Sequence, residues 1–145
     1  LDPLGGGNAN HYNIHNKKKW GWSLPPIITG TGLYLVHPHE AVPNQGLEFQ
    51  IFNSTGGFSH RYFIEKRAKI GIDGGLFDIY TQGVFLYFSD SDNVRVNSKM
   101  LKIKPSGNAS INYVLGSGES FVDPWTQMKI TTRGFSGDSA IIEIT

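Results

Sequence analysis

The chain has 145 residues, which fits one domain with a single core and leaves no room for a second. Charged residues make up 17% of it, below the usual ~25%, and its 18 glycines exceed the common share of ~7%, which argues against a helical bundle. A formal net charge of +1 gives no reason to expect nucleic acid or an anionic membrane as partner. The chain has no cysteine, which excludes thiolate chemistry, and no apolar run approaches the ~20 residues of a membrane helix.

The leading part of the chain differs in composition from the rest. Residues 1–19 are rich in Gly and Asn, carry few apolar side chains and end in three consecutive lysines. Such a composition predicts a flexible segment, because little apolar surface is available to hold it against a core. We therefore expect a flexible Gly/Asn-rich segment at 1–19 and a single folded domain at 20–145.

Short apolar stretches alternate with turn clusters along the folded domain and give about eight candidate strands. Leu47–Phe52 alternates apolar and polar residues with period two, which predicts a strand with one buried face. The same pattern recurs at 76–81, 101–104 and 111–115. An Asp-Gly-Gly turn at 73–75 predicts a tight hairpin between two such runs. The composition and the spacing of these stretches predict an all-β fold, an antiparallel β-sandwich.

One stretch, residues 60–72, fits two interpretations. Glu65 and Lys69 stand at the i,i+4 spacing of a helix. Alternation fits better, because most of its apolar residues fall on one face of a strand. These residues are Tyr62, Ile64, Ala68, Ile70 and Ile72.

Three strands, at 33–36, 84–88 and 140–145, are apolar on both faces and so need two covering layers. The last of them is expected inside a sheet, because a chain seldom ends on an apolar strand that is not held there. A sandwich leaves one face of each sheet exposed to water, so we expect a second subunit or a loop to cover the surplus. A subunit interface is favoured, with candidate residues Leu33, Tyr34, Phe85, Tyr87 and Phe88.

The sequence gives weak signals for catalysis. His37 and His39 with the adjacent Glu40 resemble the first cupin motif, which makes a metal-dependent cupin-like enzyme a third hypothesis. Cupins place that glutamate several residues later, and Pro38 favours a surface turn. The Gly-Phe-Ser-Gly-Asp stretch at 134–138 lacks the last glycine of a nucleophile elbow. We therefore expect no enzyme activity, no catalytic residue, no metal and no cofactor.

A rigid β scaffold with polar loops and no catalytic motif is typical of a binding module. Loop amides and hydroxyls form hydrogen bonds while exposed rings stack, which suits a carbohydrate or a protein surface. The candidate contact residues are His37, His39, Asn53, Thr55, Phe58, Asn108 and Trp125. The three lysines at 17–19 beside Trp20 and Trp22 form a small basic footprint, so nucleic acid is not expected as a partner.

The order of features along the chain is that of one group of known head domains: a Gly-rich leading segment, an eight-strand pattern and an apolar final strand. The residues from Gly134 to Gly137, just before that final strand, are similar to the Phe-x-Gly segment of complement C1q-like heads. The chain thus resembles the trimeric jelly-roll heads of the tumour necrosis factor and complement C1q type, which recur on viral and phage spikes and fibres. The spikes of membrane-containing, tectivirus-type phages are the closest in kind.

This resemblance implies a homotrimeric, receptor-binding head on the surface of a virion, which attaches to a host-cell receptor that is a glycan or a protein. The glycines at 5–7 would then mark the junction between shaft and head. The alternative is a bacterial surface adhesin or lectin-like module, located on the bacterial cell surface. Such a module would bury its spare strand faces within its own chain.

Overall fold

The computed structural model describes residues 13–38, 41, 45–52, 58–90, 99–101 and 113–145. This part of the chain contains one α-helix, α1 (Ile14–Lys19), and ten strands. The strands are β1 (Ile27–Ile28), β2 (Gly32–Val36), β3 (Leu47–Phe52), β4 (Phe58–Lys66), β5 (Gly83–Ser89), β6 (Lys99–Met100), β7 (Leu115–Gly116), β8 (Ser120–Val122), β9 (Lys129–Ser136) and β10 (Ser139–Ile144).

The strands form two sheets. One has six strands in the order β1-β3-β4-β5-β6, with β7 also paired to β5, and the other has four in the order β2-β10-β9-β8. The predicted all-β sandwich is confirmed, although the described residues contain ten strands and not about eight. Among the described strands, β1 pairs with β3 in parallel and the other pairings are antiparallel.

The main core lies between the two sheets. Both sheets contribute buried aliphatic and aromatic side chains at alternate strand positions, as the period-two pattern of β3 predicted. Burial of this apolar surface is the main favourable contribution to folding. The core residues are Val36, Leu47, Phe49, Ile51, Tyr62, Ile64, Val84, Leu86, Leu115, Ile130, Ala140, Ile142 and Ile144.

A second apolar cluster covers the outer face of the six-stranded sheet. Phe63, Phe85 and Tyr87 point away from the main core and pack against Ile14 of α1 and Val114. The chain itself therefore supplies the second covering layer of β5. The expected subunit interface at Phe85 and Tyr87 is corrected, because both side chains are already buried within one chain.

Helix α1 belongs to the folded domain, which corrects the boundary expected between residues 19 and 20. The side chain of Asn13 caps it by accepting a hydrogen bond from the backbone N–H of Asn16 at 2.9 Å. Lysines 17–19 occupy its last turn, where their positive charges are attracted to the negative end of the helix dipole. Lys18 pairs with the buried Glu48 of β3, and Ile14 donates its backbone N–H to the buried Glu65 of β4 at 3.3 Å. These contacts fix α1 on the sheet.

The predicted strand at 76–81 and the hairpin at 73–75 are wrong. The chain there forms two 3₁₀ helices, at Gly71–Gly75 and Asp78–Thr81, and Phe77 is 71% exposed. Asp73 is buried and accepts a hydrogen bond from Arg67 at 2.8 Å, so its carboxylate faces inward and is not at the tip of a hairpin. Residues 102–104, 111 and 112 of the other predicted strands lie outside the described residues.

The final strand takes the place that its sequence predicts. β10 lies between β2 and β9 in the four-stranded sheet, so it is an interior strand. β2 differs, because it is at the edge of that sheet and only its inner face is covered. In the stretch 60–72, β4 ends at Lys66, so Tyr62 and Ile64 lie in the strand while Ala68 and Ile70 follow it. The helix interpretation of that stretch is wrong.

Gly83, the first residue of β5, is expected to tolerate no side chain. A Cβ there would lie 2.4 Å from the carbonyl oxygen of Leu115 and 2.5 Å from Cγ1 of Val114. We expect Gly83→Ala to lower the free energy of unfolding by about 1–3 kcal/mol, since such overpacking moves neighbouring backbone. Urea denaturation measures this. Gly75→Ala is the control, because no atom lies within 4 Å of its added Cβ. Equal stability of the two variants would contradict the prediction.

Candidate functional site

A buried carboxylate organises one end of the sandwich. Asp123 follows β8 and has no exposed surface. Its Oδ1 accepts a hydrogen bond from the hydroxyl of Tyr62 at 2.5 Å and lies 2.9 Å from Nε2 of His60, which donates when it carries the proton. Its Oδ2 accepts from the backbone N–H and the hydroxyl of Thr126 at 2.8 and 2.6 Å. Four donors thus replace the water that this carboxylate has lost.

The protonation states of this network follow from its geometry. Burial raises the pKa of Asp123, but the hydrogen bonds from Thr126, Tyr62 and His60 outweigh burial and leave its pKa below the ordinary value. The pKa of Tyr62 is raised by burial, by its hydrogen bond to Asp123 and by the negative charge of Asp123. Asp123 is therefore ionised and Tyr62 protonated around neutral pH. The network thus connects β4 to the turn after β8 through hydrogen bonds.

An exposed aromatic surface lies beside this hydrogen-bond network. The indole of Trp125 stacks on Phe88 with ring centroids 5.7 Å apart and planes inclined by 24°, and its centroid lies 4.9 Å from that of His60. We call His60, Phe88 and Trp125 the Trp125 platform. Trp125 is 67% exposed, whereas His60 is buried and Phe88 is half-buried. The indole ring of Trp125 is thus exposed to solvent while it packs on a buried and a half-buried ring.

The local chain explains the position of Trp125. Residues 124–126 form a turn closed by the backbone N–H of Gln127, which donates to the carbonyl of Asp123 at 2.9 Å. Gln127 has φ = 64°, in the left-handed region that residues other than glycine seldom adopt. The hydrogen bonds from Thr126 to Asp123 hold this turn in place. Trp125 stands at its middle and so projects from the end of the sandwich.

The predicted contact residues do not form one site. His37 lies at the other end of the sandwich, where its Nδ1 is 2.6 Å from the hydroxyl of Ser139 and the next residue, Pro38, bridges to Lys66. β4 runs from the Trp125 platform at His60 to Lys66, six residues that span about 20 Å. His39, Asn53, Thr55 and Asn108 lie outside the described residues, and so does the side chain of Phe58.

The predicted interface residues also divide. Leu33 is exposed on the outer face of β2. Tyr34 packs against the main core, and its hydroxyl donates to the carbonyl of Gly30 at 2.9 Å. Phe85 and Tyr87 lie under α1, as described above, and Phe88 belongs to the Trp125 platform. Of the five, Leu33 has the most surface available to a partner.

A cleft lies at the end opposite Trp125, where the two sheets meet. It has a volume of about 440 Å³ and is lined by residues that include Lys66, Phe135, Thr81 and Gln82. The ammonium of Lys66 lies 5.5 Å from the ring centroid of Phe135 and donates to the carbonyls of Arg67 and Thr81 at 2.8 and 2.7 Å. These bonds link β4 to the second 3₁₀ helix, so Lys66 has a clear structural role.

Sequence reasoning missed three residues of the network, namely His60, Tyr62 and Asp123. A local signal existed for part of it, because an aspartate three residues before a threonine is a common turn motif. No local signal joined Asp123 to His60 and Tyr62, which lie about sixty residues earlier in the chain. Only the packing of β4 against the turn after β8 brings them together.

Among the described residues, no group of three or more His, Cys, Asp or Glu side chains is placed to hold a metal ion. No helix in the same part of the chain has the length and apolarity to cross a membrane. No known protein family, no curated protein sequence and no solved structure matches this chain significantly.

Proposed function

We propose that this chain is a non-enzymatic attachment domain that binds a glycan on a cell-surface receptor through Trp125. The single observation that carries the proposal is the Trp125 platform: an indole that is 67% exposed and yet fixed by a buried network. An exposed tryptophan normally loses conformational freedom when a ligand packs on it. Here stacking on Phe88 already limits its motion, and such preorganisation favours binding.

The chemistry of the platform suits a sugar. The flat apolar face of an indole packs against the C–H face of a pyranose ring, and its N–H can donate to a hydroxyl. Tryptophan is also enriched among the residues whose truncation most weakens a binding interface. Asp123 accepts four hydrogen bonds from the protein, so it supports the platform and is not the group that contacts the ligand.

The two settings considered for such a domain are a virion spike and a bacterial surface. The spike head rests on the resemblance to trimeric jelly-roll heads, and the homotrimer that this resemblance implies stays a prediction. The bacterial adhesin or lectin-like module is favoured by one observation: α1 and Val114 cover the outer face of β5 within one chain. We therefore prefer the adhesin or lectin-like module, because the outer face of β5 needs no second subunit to cover it.

Replacing Trp125 with alanine is expected to abolish most glycan binding. A glycan array identifies ligands of the wild-type chain, and titration calorimetry then compares variants on the best of them. Loss of the stacked indole should weaken affinity at least about tenfold, equal to about 1.4 kcal/mol.

Trp22→Ala is the matched control, because Trp22 is similarly exposed, at 64%, but contacts the ring of Trp20 and is not part of the Trp125 platform. Its affinity should equal that of the wild type. An array without any bound glycan, or equal losses in the two variants, would refute the proposal. Circular dichroism of both variants excludes misfolding as the cause of a loss.

A further inference from the structure

The edges of the two sheets are protected unequally. An edge strand exposes unpaired backbone N–H and C=O groups, and natural proteins limit this hazard with short strands, charges, prolines or bulges. Among the described strands, β1, β6 and β7 have two residues each, and β1 follows two prolines. β8 has three residues and is followed closely by Pro124. These edges offer little backbone to another strand.

β2 is the longest edge strand among the described residues, and Pro38 follows it at the same distance as Pro124 follows β8. β2 has five residues, Gly-Leu-Tyr-Leu-Val, without charge or proline, and its pairing with β10 is regular along its whole length. Its outer face carries two exposed leucines, Leu33 at 67% and Leu35 at 46%. Leu35 pairs with Ile141 of β10, so the apolar patch continues onto the next strand. An edge of this kind is suited to pairing with a strand of another chain.

We propose that two copies of this chain associate by antiparallel pairing of their β2 strands about a twofold axis at Tyr34. The result is one continuous eight-stranded sheet made of two four-stranded sheets. This proposal is independent of the proposed glycan binding, because it uses neither the Trp125 platform nor the end of the sandwich that carries it.

The sequence of β2 is what selects a second copy as the partner. In a register centred on Tyr34, Leu33 of one copy lies opposite Leu35 of the other. The twofold axis generates a second pair, Leu35 of the first copy with Leu33 of the second. Both pairs lie on the outer face, where directly opposed apolar side chains stabilise a sheet. Tyr34 lies opposite its own counterpart on the inner face, where aromatic pairs are favourable. The strand is thus complementary to itself, as a twofold interface requires.

Sedimentation velocity of the full chain tests the association. Over a range of about 1–200 μM, the wild type should pass from monomer to dimer. Leu35→Lys should remain monomeric, because each lysine would lie opposite Leu33 of the other copy and a charge on an edge strand opposes pairing. Val122→Lys is the matched control, since Val122 is 45% exposed on the other edge strand of the same sheet. It should dimerise as the wild type does.

Engineered cysteines test the register, because the natural chain has none. Opposed residues of antiparallel strands have Cα atoms about 4.5–5.5 Å apart, which a disulfide can span. Tyr34→Cys should therefore form a disulfide-linked dimer on mild oxidation. Leu33→Cys and Leu35→Cys should link efficiently only when the two variants are mixed.

Each outcome decides for or against the proposal. A monomer throughout the concentration range overturns it, and so does a trimer, because pairing of β2 with β2 closes at two copies. Dimers of Leu35→Lys as stable as those of the wild type also overturn it. Glycan binding is measured with different variants, so either proposal can fail while the other holds.

Discussion

Replacing Arg67 with methionine is expected to lower the free energy of unfolding by about 3–5 kcal/mol. Arg67 is buried between two buried carboxylates: its Nη1 lies 2.8 Å from Oδ2 of Asp73 and its Nε lies 2.8 Å from Oε1 of Glu65. Methionine fills similar space but leaves both carboxylates without their main cation. Urea denaturation followed by tryptophan fluorescence measures the loss.

Two comparisons separate this effect from a general effect of losing an arginine. Arg133→Met removes an exposed ion pair with Glu143 and should cost less than about 1 kcal/mol. In addition, the penalty of Arg67→Met should shrink on acidification. Burial already raises the pKa of Glu65, against the lowering effect of Arg67 and Lys17. Without Arg67 its folded-state pKa rises further, so the folded variant gains protons that the unfolded chain does not hold at the same pH. Equal costs for the two substitutions would contradict the prediction.

Acidification is expected to destabilise the fold through His15 of α1. Burial lowers the pKa of His15 to about 4 from an ordinary value of 6.5, and the charges of Lys19, Arg61 and Lys18 add to burial while Glu48 opposes it. Between these two values the unfolded chain binds a proton at His15 and the folded chain does not. Stability therefore falls as the pH falls through this window, by roughly 3 kcal/mol in total.

The variant His15→Gln tests this assignment, because glutamine is polar and does not titrate. The difference in unfolding free energy between wild type and variant should change by that amount from pH 6.5 to 4, in the direction that favours the variant in acid. The carboxylates titrate in both proteins, so their contribution largely cancels. Parallel stability curves over this range would show that His15 does not titrate as its surroundings require.

The strands that could be predicted are those in which the pattern of apolar residues within the strand itself indicates burial. β3 alternates apolar and polar residues, and β10 is apolar enough to need an interior position. In both cases the burial of the apolar side chains follows from residues within one strand. The fold class could be predicted for the same reason, since short apolar stretches between turn residues recur along most of the chain.

The errors occurred where distant residues decide the local structure. Residues 76–81 alternate like a strand, but Asp78–Thr81 forms a 3₁₀ helix. The preceding 3₁₀ helix, Gly71–Gly75, contains Asp73, which pairs with the buried Arg67. α1 has six residues and is too short to be stable alone. Its contacts with Glu48 and Glu65 come from strands at least thirty residues away. No local pattern records such contacts.

The candidate site shows the same limit. Trp125 could be named as a candidate contact, because an aromatic ring beside polar loops suits a binding surface. Its support could not, since His60 and Tyr62 lie on β4 and meet Asp123 only in the folded protein. The predicted grouping of Trp125 with His37 failed, because both residues lie in polar loops but the loops are at opposite ends of the sandwich. The composition of a loop does not indicate which end it occupies.

The direction of β9 determines how this protein should be mounted on a biosensor. Thr145 exchanges backbone hydrogen bonds of 2.7 and 3.0 Å with Lys129, so the last residue lies at the same end as Trp125. A tag or bead fused after Thr145 would crowd the indole and weaken apparent binding. A tether at Gly137, in the turn between β9 and β10, would instead turn Trp125 toward the solution.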